Sequence, residues 1–241
     1  MIQDLNAYTK IDEQVWNTLF SRQYQQLQKY ACKEYLSCLN EMQSFLNADS
    51  IPDFNKINAW FENKTGWSIE VVPGIIPVDE FFVLLSQKKF CSSTWLRCPE
   101  NLDYLEEPDM FHDIFGHIPL LANPLFSEFA QKFGILGVKL KGNQDAITAL
   151  QRLYWYTIEF GLIKEDELKI YGAGIISSYG ETIRSVSSEV KHTPYDMVDV
   201  FNKTFRTDVM QEEYVLIESI EQLNLSISVM DKYLLGESVL S

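Results

Sequence analysis

The stretch from Phe111 to Leu121, FHDIFGHIPLL, constrains the fold more than any other part of the chain. Its apolar side chains must be buried, and they carry into the interior two imidazoles that need partners there. Two of the three histidines in the sequence stand here, five residues apart. On a helix of about 3.6 residues per turn, residues five apart point roughly 140° away from each other, so a regular helical face cannot bring them together. Gly116 and Pro119 suggest a way round this. A helix ending at Gly116 lets His112 project from the last turn while His117 swings round from the exit. Two readings stay open: a pair of core histidines satisfied by backbone groups, or two ligands converging on one point.

A third donor is available in LYWYTIEFGL, residues 153–162. A carboxylate at Glu159, flanked by Tyr154, Trp155, Tyr156, Ile158 and Phe160, is costly to bury unless a cation or a metal meets it. The alternatives are an exposed edge or pairing with Arg152. Two histidines and one carboxylate make the facial triad of non-haem Fe(II) oxygenases, and the same set also suits a catalytic zinc. The four cysteines, Cys32, Cys38, Cys91 and Cys98, have no CxxC spacing. They are expected to be reduced structural thiols, which leaves any metal to His and carboxylate ligands.

Composition narrows the partners. A net charge of −14 over 241 residues, with no basic stripe, argues against a nucleic-acid protein, because neutralising phosphates takes clustered Lys and Arg. No run of about 18 apolar residues is present, and the N-terminal residues MIQDLNAYTKIDEQ lack the pattern of a signal peptide. The expectation is a soluble, cytoplasmic protein with small-molecule partners and no membrane contact, a monomer or weak homo-oligomer.

The fold class expected is mainly α, an α+β arrangement: a single helix-rich catalytic domain over residues 1–241 with a small sheet. From Ile11 to Leu46, apolar residues recur at steps of three, four and seven, as in one or two amphipathic helices. A short helix follows Pro52 and stops at Gly66. WSIEVVPGIIPV, residues 67–78, reads as a strand and an ordered loop, and helix is expected from Val78 to Phe90. Pro108 is expected at the first position of a helix that Gly116 and Pro119 end, and Asn123-Pro124 opens another that stops at Gly134. Residues 145–162 are apolar almost all round and predict a central helix. KIYGAGIISSYGE, residues 169–181, predicts a strand and loop, and residues 208–235 a strand followed by a helix.

Taken together, DYLEEPDMFHDIFGHIPLLANPLFSEFAQKFG, LYWYTIEFGL and YGAGIISSYGE resemble three signature blocks of the pterin-dependent aromatic amino acid hydroxylases. TGWSIEVVPGIIPVDEFF and TWLRCPENLDYL resemble the blocks that precede them in bacterial phenylalanine 4-monooxygenases. The resemblance covers roughly residues 12–225. It implies a helical N-terminal part (1–50), a catalytic core over about 51–225, no regulatory domain, and a reaction that uses Fe(II), a tetrahydropterin and O2.

Residue by residue, the resemblance assigns His112, His117 and Glu159 as iron ligands. It places Phe81 under the pterin ring, the loop from Gly74 through Ile76 to Val78 along its edge, and Asp113 and Tyr154 on the same side. Arg97 matches the guanidinium that grips the substrate α-carboxylate, with Asp109 orienting it, and Trp155, Phe160, Gly174 and Ser177 match positions enclosing the aromatic amino acid. The stretch LSQKKFCSST departs from the usual pattern at Gln87, Lys88, Lys89 and Cys91. Thr207 stands where a phenylalanine enzyme is expected to be aliphatic. The resemblance implies ring hydroxylation, phenylalanine to tyrosine first, with tryptophan or a broad aromatic preference as the alternative. A His2Glu zinc hydrolase, which would lack the HExxH motif here, and a non-catalytic metal- or ligand-binding relative are the other two classes.

Overall fold

The computed structural model describes residues 1–103 and 107–235; residues 104–106 of the DYLEEPDM stretch and the last six lie outside it. The long amphipathic pattern at the N-terminus becomes two helices. Helix α1 (Lys10–Tyr30) opens on a capping box in which the Thr9 hydroxyl and the Asp12 carboxylate each accept the other's backbone N–H. Its inner face buries Trp16, Leu19 and Leu27, worth about 1.5–3 kcal/mol for each leucine-sized side chain taken from water. Helix α2 (Lys33–Glu41) follows, and α3 (Phe54–Lys64) closes as expected at Gly66, whose N–H bonds Phe61 O at 2.8 Å with Gly66 at φ +79°.

The next segment alternates strand and helix. Strand β1 (Ser68–Val71) leads through the proline-glycine loop to α4 (Val78–Ser86), then strand β2 (Lys89–Ser92), paired parallel to β1 from Ser68↔Lys89 to Val71↔Ser92. Helix therefore stops four residues short of Phe90. The chain reverses at Lys88, φ +56°, and pairing with β1 outweighs the helical propensity of Lys89 and Phe90.

Helix α5 (Pro124–Lys139) does not stop at Gly134. A Cβ there would lie 2.6 Å from Leu85 Cβ, so the glycine serves the close approach of α4 and α5 inside a continuing helix. Helix α6 (Gln144–Tyr154) is amphipathic rather than buried all round: Gln144, Asp145 and Gln151 are exposed, while Ile147, Leu150 and Leu153 are buried.

The expected strand and loop at 169–181 divides into more elements. Strands β3 (Gly161–Lys164) and β4 (Leu168–Ile170) form an antiparallel pair, followed by two short helices, α7 (Ala173–Ile176) and α8 (Tyr179–Arg184). Strand β5 (Lys191–Pro194), helix α9 (Met197–Asn202), strand β6 (Glu213–Ile217) and helix α10 (Ile220–Leu234) complete the chain, the last two as expected. The four-stranded sheet runs β4-β3-β6-β5, with β6 parallel to both neighbours. One continuous core joins α1 to α10. Among the described residues, no helix is long and apolar enough to cross a membrane.

Candidate active site

His112 and His117 meet without any break in the winding. From His112 to His117 the backbone is π-helical, and the wider i→i+5 turn puts residues five apart on one side. The helix begins at Met110, after Pro108, and the Asp109 carboxylate caps it by accepting the His112 N–H at 3.1 Å. Gly116 therefore has another role than ending the helix. A Cβ on it would stand 2.9 Å from Ala173 O and 3.1 Å from Ala173 Cβ, so its bareness lets α7 lie against the π turn. Pro119 offers no N–H to the carbonyl of Phe115 one helical turn back, and the buried Tyr35 hydroxyl donates to that carbonyl at 2.7 Å.

A second π turn, Trp155–Glu159, follows α6, closed by the Phe160 N–H on Trp155 O at 2.9 Å. It aims Glu159 at the histidine pair. His117 Nε2 lies 3.1 Å from Glu159 Oε1 and 3.1 Å from His112 Nε2, and His112 Nε2 lies 3.6 Å from Glu159 Oε2. Arg152 is not its partner, because its guanidinium donates to Phe201 O at 2.6 Å. Nor does the third histidine join the group: His192 in β5 bonds Ser185 O at 2.6 Å.

The ring of His112 is held by its other nitrogen. The Ser177 hydroxyl donates its one hydrogen to Ala173 O at 2.8 Å, so at 2.9 Å from His112 Nδ1 it can only accept. Nδ1 therefore carries the proton and Nε2 presents a lone pair to Glu159 and His117. Burial holds the His112 imidazole near pKa 4, in its neutral form. Burial would raise Glu159, but the two imidazoles outweigh it and hold the carboxyl at about 2. Two imidazole nitrogens and one carboxylate oxygen, gathered in a nearly dry place, are the donor set of a divalent metal.

These three groups lie in a cavity of about 780 Å³. Every residue expected at the site lines it except Gly74 and Asp109. Gly74 does not line it, although its neighbours Ile75 and Ile76 do, and a Cβ on it would meet Glu107 Oε1 at 2.9 Å. Asp109 is fully buried behind Arg97, accepting from its Nε and Nη2 at 2.8 Å each and from its backbone N–H at 3.0 Å. One carboxylate thus fixes both the guanidinium and the start of the helix that carries His112.

The cavity has two sides. On one, the Phe81 ring meets Tyr154 edge-on, centroids 5.2 Å apart, and Asp113 accepts the Ser93 N–H at 2.9 Å. Burial pushes the Asp113 carboxyl up to about 7, against the pull of that N–H. On the other, the Trp155 indole lies between Phe160 and Phe205, each centroid 4.6 Å away. Gly174 makes room there, since a Cβ would stand 2.9 Å from Phe160 Cζ. Sequence reasoning passed over Phe90, whose ring packs on His117 at 4.6 Å, and also Phe205, Glu181 and Gln211. Glu181 carried a signal in the YGE of its block; the others have only tertiary neighbours to mark them.

The sequence model of the biopterin-dependent aromatic amino acid hydroxylases matches residues 2–234. The chain belongs to this family. Among its relatives, phenylalanine-4-hydroxylase of Chromobacterium violaceum is 44% identical over 223 residues, 92% of this chain and 74% of that protein. A crystal structure of the C. violaceum phenylalanine hydroxylase with iron(III) and 7,8-dihydrobiopterin matches with a TM-score of 0.91 at 42% identity, over 98% of this chain and 86% of that one. Another, with iron and phenylalanine bound, matches with a TM-score of 0.88 at 40% identity, over 98% and 87%. One side of the cavity presents the Phe81 ring and the Asp113 carboxyl, and the other presents the Arg97 guanidinium with the aromatic walls of Trp155 and Phe160.

Proposed function

We propose that the protein hydroxylates L-phenylalanine to L-tyrosine, with Fe(II), a tetrahydropterin and O2. The observation that carries this reading is the convergence of His112, His117 and Glu159, ligand atoms all within 4.8 Å of one another, between an aromatic slot and a buried guanidinium. Bound iron and reduced pterin supply the electrons that activate O2 for insertion of one oxygen atom into the ring.

The chain supplies position. His112, His117 and Glu159 hold the iron through one face and leave the positions toward the cavity open. Phe81 stacks on the pterin, the Gly74 to Val78 loop with Ile76 borders its edge, and Tyr154 braces Phe81 from the side. The Asp113 carboxyl, with a pKa near 7, faces the pterin as a hydrogen-bond partner in either protonation state. Arg97, locked by Asp109, binds the substrate carboxylate through its planar fork. Trp155, Phe160 and the bare backbone at Gly174 place the aromatic ring and keep water from it, while Ser177 keeps His112 in its ligating tautomer.

Thr207 on the substrate wall favours a second reading of the same chemistry, with tryptophan or a broad set of aromatic amino acids accepted. We read residues 1–241 as one catalytic domain, supported by the continuous core, and the protein as a cytoplasmic monomer or weak homo-oligomer. The test is to load the purified protein with Fe(II) and supply a tetrahydropterin, O2 and each aromatic amino acid in turn. Tyrosine from phenylalanine is expected. Full iron loading with no hydroxylated product from any of them would overturn the reading.

A further inference from the structure

Between α9 and β6 the chain runs from Lys203 to Glu212 without regular structure, yet Phe205, Thr207, Val209 and Met210 form part of the cavity wall. A loop of this kind has no ladder of its own to keep its shape. The Tyr156 hydroxyl holds its start by donating to Thr204 O at 2.6 Å, and farther along one buried side chain ties two of its carbonyls. Gln211 Nε2 donates to the carbonyls of Arg206 and Val209, each at 3.0 Å, and Gln211 Oε1 accepts the indole N–H of Trp155 at 3.1 Å. This arrangement also settles the orientation of the amide, because only its oxygen can meet an indole N–H and only its nitrogen can meet two carbonyls.

The backbone of Gln211 is anchored in turn. Its N–H donates to Glu181 Oε1 at 3.0 Å, its carbonyl accepts from Arg184 Nε at 3.2 Å, and the other Glu181 oxygen accepts from the Tyr214 hydroxyl. Helix α8 thus holds Gln211, and Gln211 holds both the loop and the indole. Phe205 of the same loop lies flat against Trp155, with 19° between the ring planes.

We infer that Gln211 is a positioning residue that locks the Trp155 indole to the 205–210 loop and so sets the affinity of the site for an aromatic amino acid. This rests on the hydroxylase reading, in which Trp155 borders the substrate ring. Without Gln211, one N–H and two carbonyls lose their partners beside the cavity, the indole is free to turn, and the wall the substrate packs on is no longer preorganised. The pterin side and the metal ligands share none of these bonds.

The experiment compares the iron-loaded full chain with Gln211→Leu, Trp155→Phe and the double variant. It reads phenylalanine affinity by calorimetry, then amino acid KM, pterin KM, iron content and tyrosine formed per pterin oxidised. Gln211→Leu is expected to weaken phenylalanine binding and raise its KM about tenfold, with less tyrosine per pterin, while iron content and pterin KM stay within about twofold. Because both single changes delete the same hydrogen bond, the double variant should be little worse than the worse single. Unchanged phenylalanine affinity in Gln211→Leu, effects that multiply in the double variant, or an equal rise in pterin KM would each overturn the inference. If Gln211→Leu does not fold, Gln211→Glu, which keeps an acceptor for the indole but cannot tie the carbonyls, is held to the same criteria for affinity and pterin KM. A wild-type protein that binds phenylalanine but never hydroxylates it would sink the functional reading alone, since the calorimetric comparison needs no turnover.

Discussion

The Ser177 hydroxyl, 2.9 Å from His112 Nδ1 and already donating to Ala173 O, fixes which nitrogen of His112 faces Glu159 and His117. A partner of this kind orients a metal-ligating imidazole and raises its basicity. Ser177→Ala should therefore lower iron affinity by about 10- to 100-fold while leaving the fold intact. Iron titration of the metal-free variant checks this, and unaltered affinity would remove Ser177 from the metal's support.

Arg97 pairs with Asp109 and, in the proposed function, binds the substrate carboxylate, and one substitution would separate the two poorly. Asp109 is fully buried and faces its guanidinium, so Arg97→Ala leaves a carboxylate without its charge partner and should cost about 3–5 kcal/mol of stability. Amino acid KM should rise in the same variant. Arg97→Lys should keep much of the stability and still lose the bidentate fork. Denaturant unfolding alongside steady-state kinetics distinguishes the two effects. An Arg97→Ala protein as stable as wild type would contradict the assigned pairing.

Tyr35→Phe tests how the π turn is completed. The change removes only the hydroxyl that donates to the Phe115 carbonyl, in a place closed to water. A loss of about 1–3 kcal/mol is expected from the unpaired carbonyl, measurable as a lower unfolding midpoint at unchanged slope. No loss would mean that another donor reaches Phe115.

Glu213 links acid sensitivity to the sheet. Burial would raise its carboxyl, but hydrogen bonds from Lys203, Lys191 and Thr193 outweigh it and hold it at about 2 against an ordinary 4.5. A depressed folded-state value means that the contribution is complete above about pH 4.5 and disappears as pH falls toward 2. Melting temperature against pH should therefore fall less steeply across that window in Glu213→Gln than in wild type. Parallel curves would refute the assignment.

Much of the candidate site is legible in the sequence, and the reasons are local. An apolar stretch that carries two imidazoles, and a carboxylate among aromatic residues, each announce groups that cannot be buried without partners. The helix start at Asn123-Pro124 was legible for the same kind of reason, since these residues satisfy or remove orphan N–H groups at their own terminus, whereas the capping box of Thr9 and Asp12 emerged only in the structure. Resemblance to the hydroxylase blocks then supplied roles that composition could not, such as that of Arg97, which by itself reads as a solvated charge.

What the sequence determined by itself was therefore which groups need partners: His112, His117, Glu159, and the helix start at Asn123-Pro124. Tertiary structure decided how those needs are met. The two π turns, the use of Gly116 and Gly134 for close approach inside continuing helices, the strand at Lys89–Ser92, and the Gln211 lock on Trp155 all depend on contacts with residues distant in sequence. A glycine reads the same in sequence whether it ends a helix or lets a neighbour approach, because the difference lies in what stands opposite its missing side chain. The π turn from His112 to His117 likewise has distant residues against it, with α7 packed on Gly116 and the Tyr35 hydroxyl on the Phe115 carbonyl.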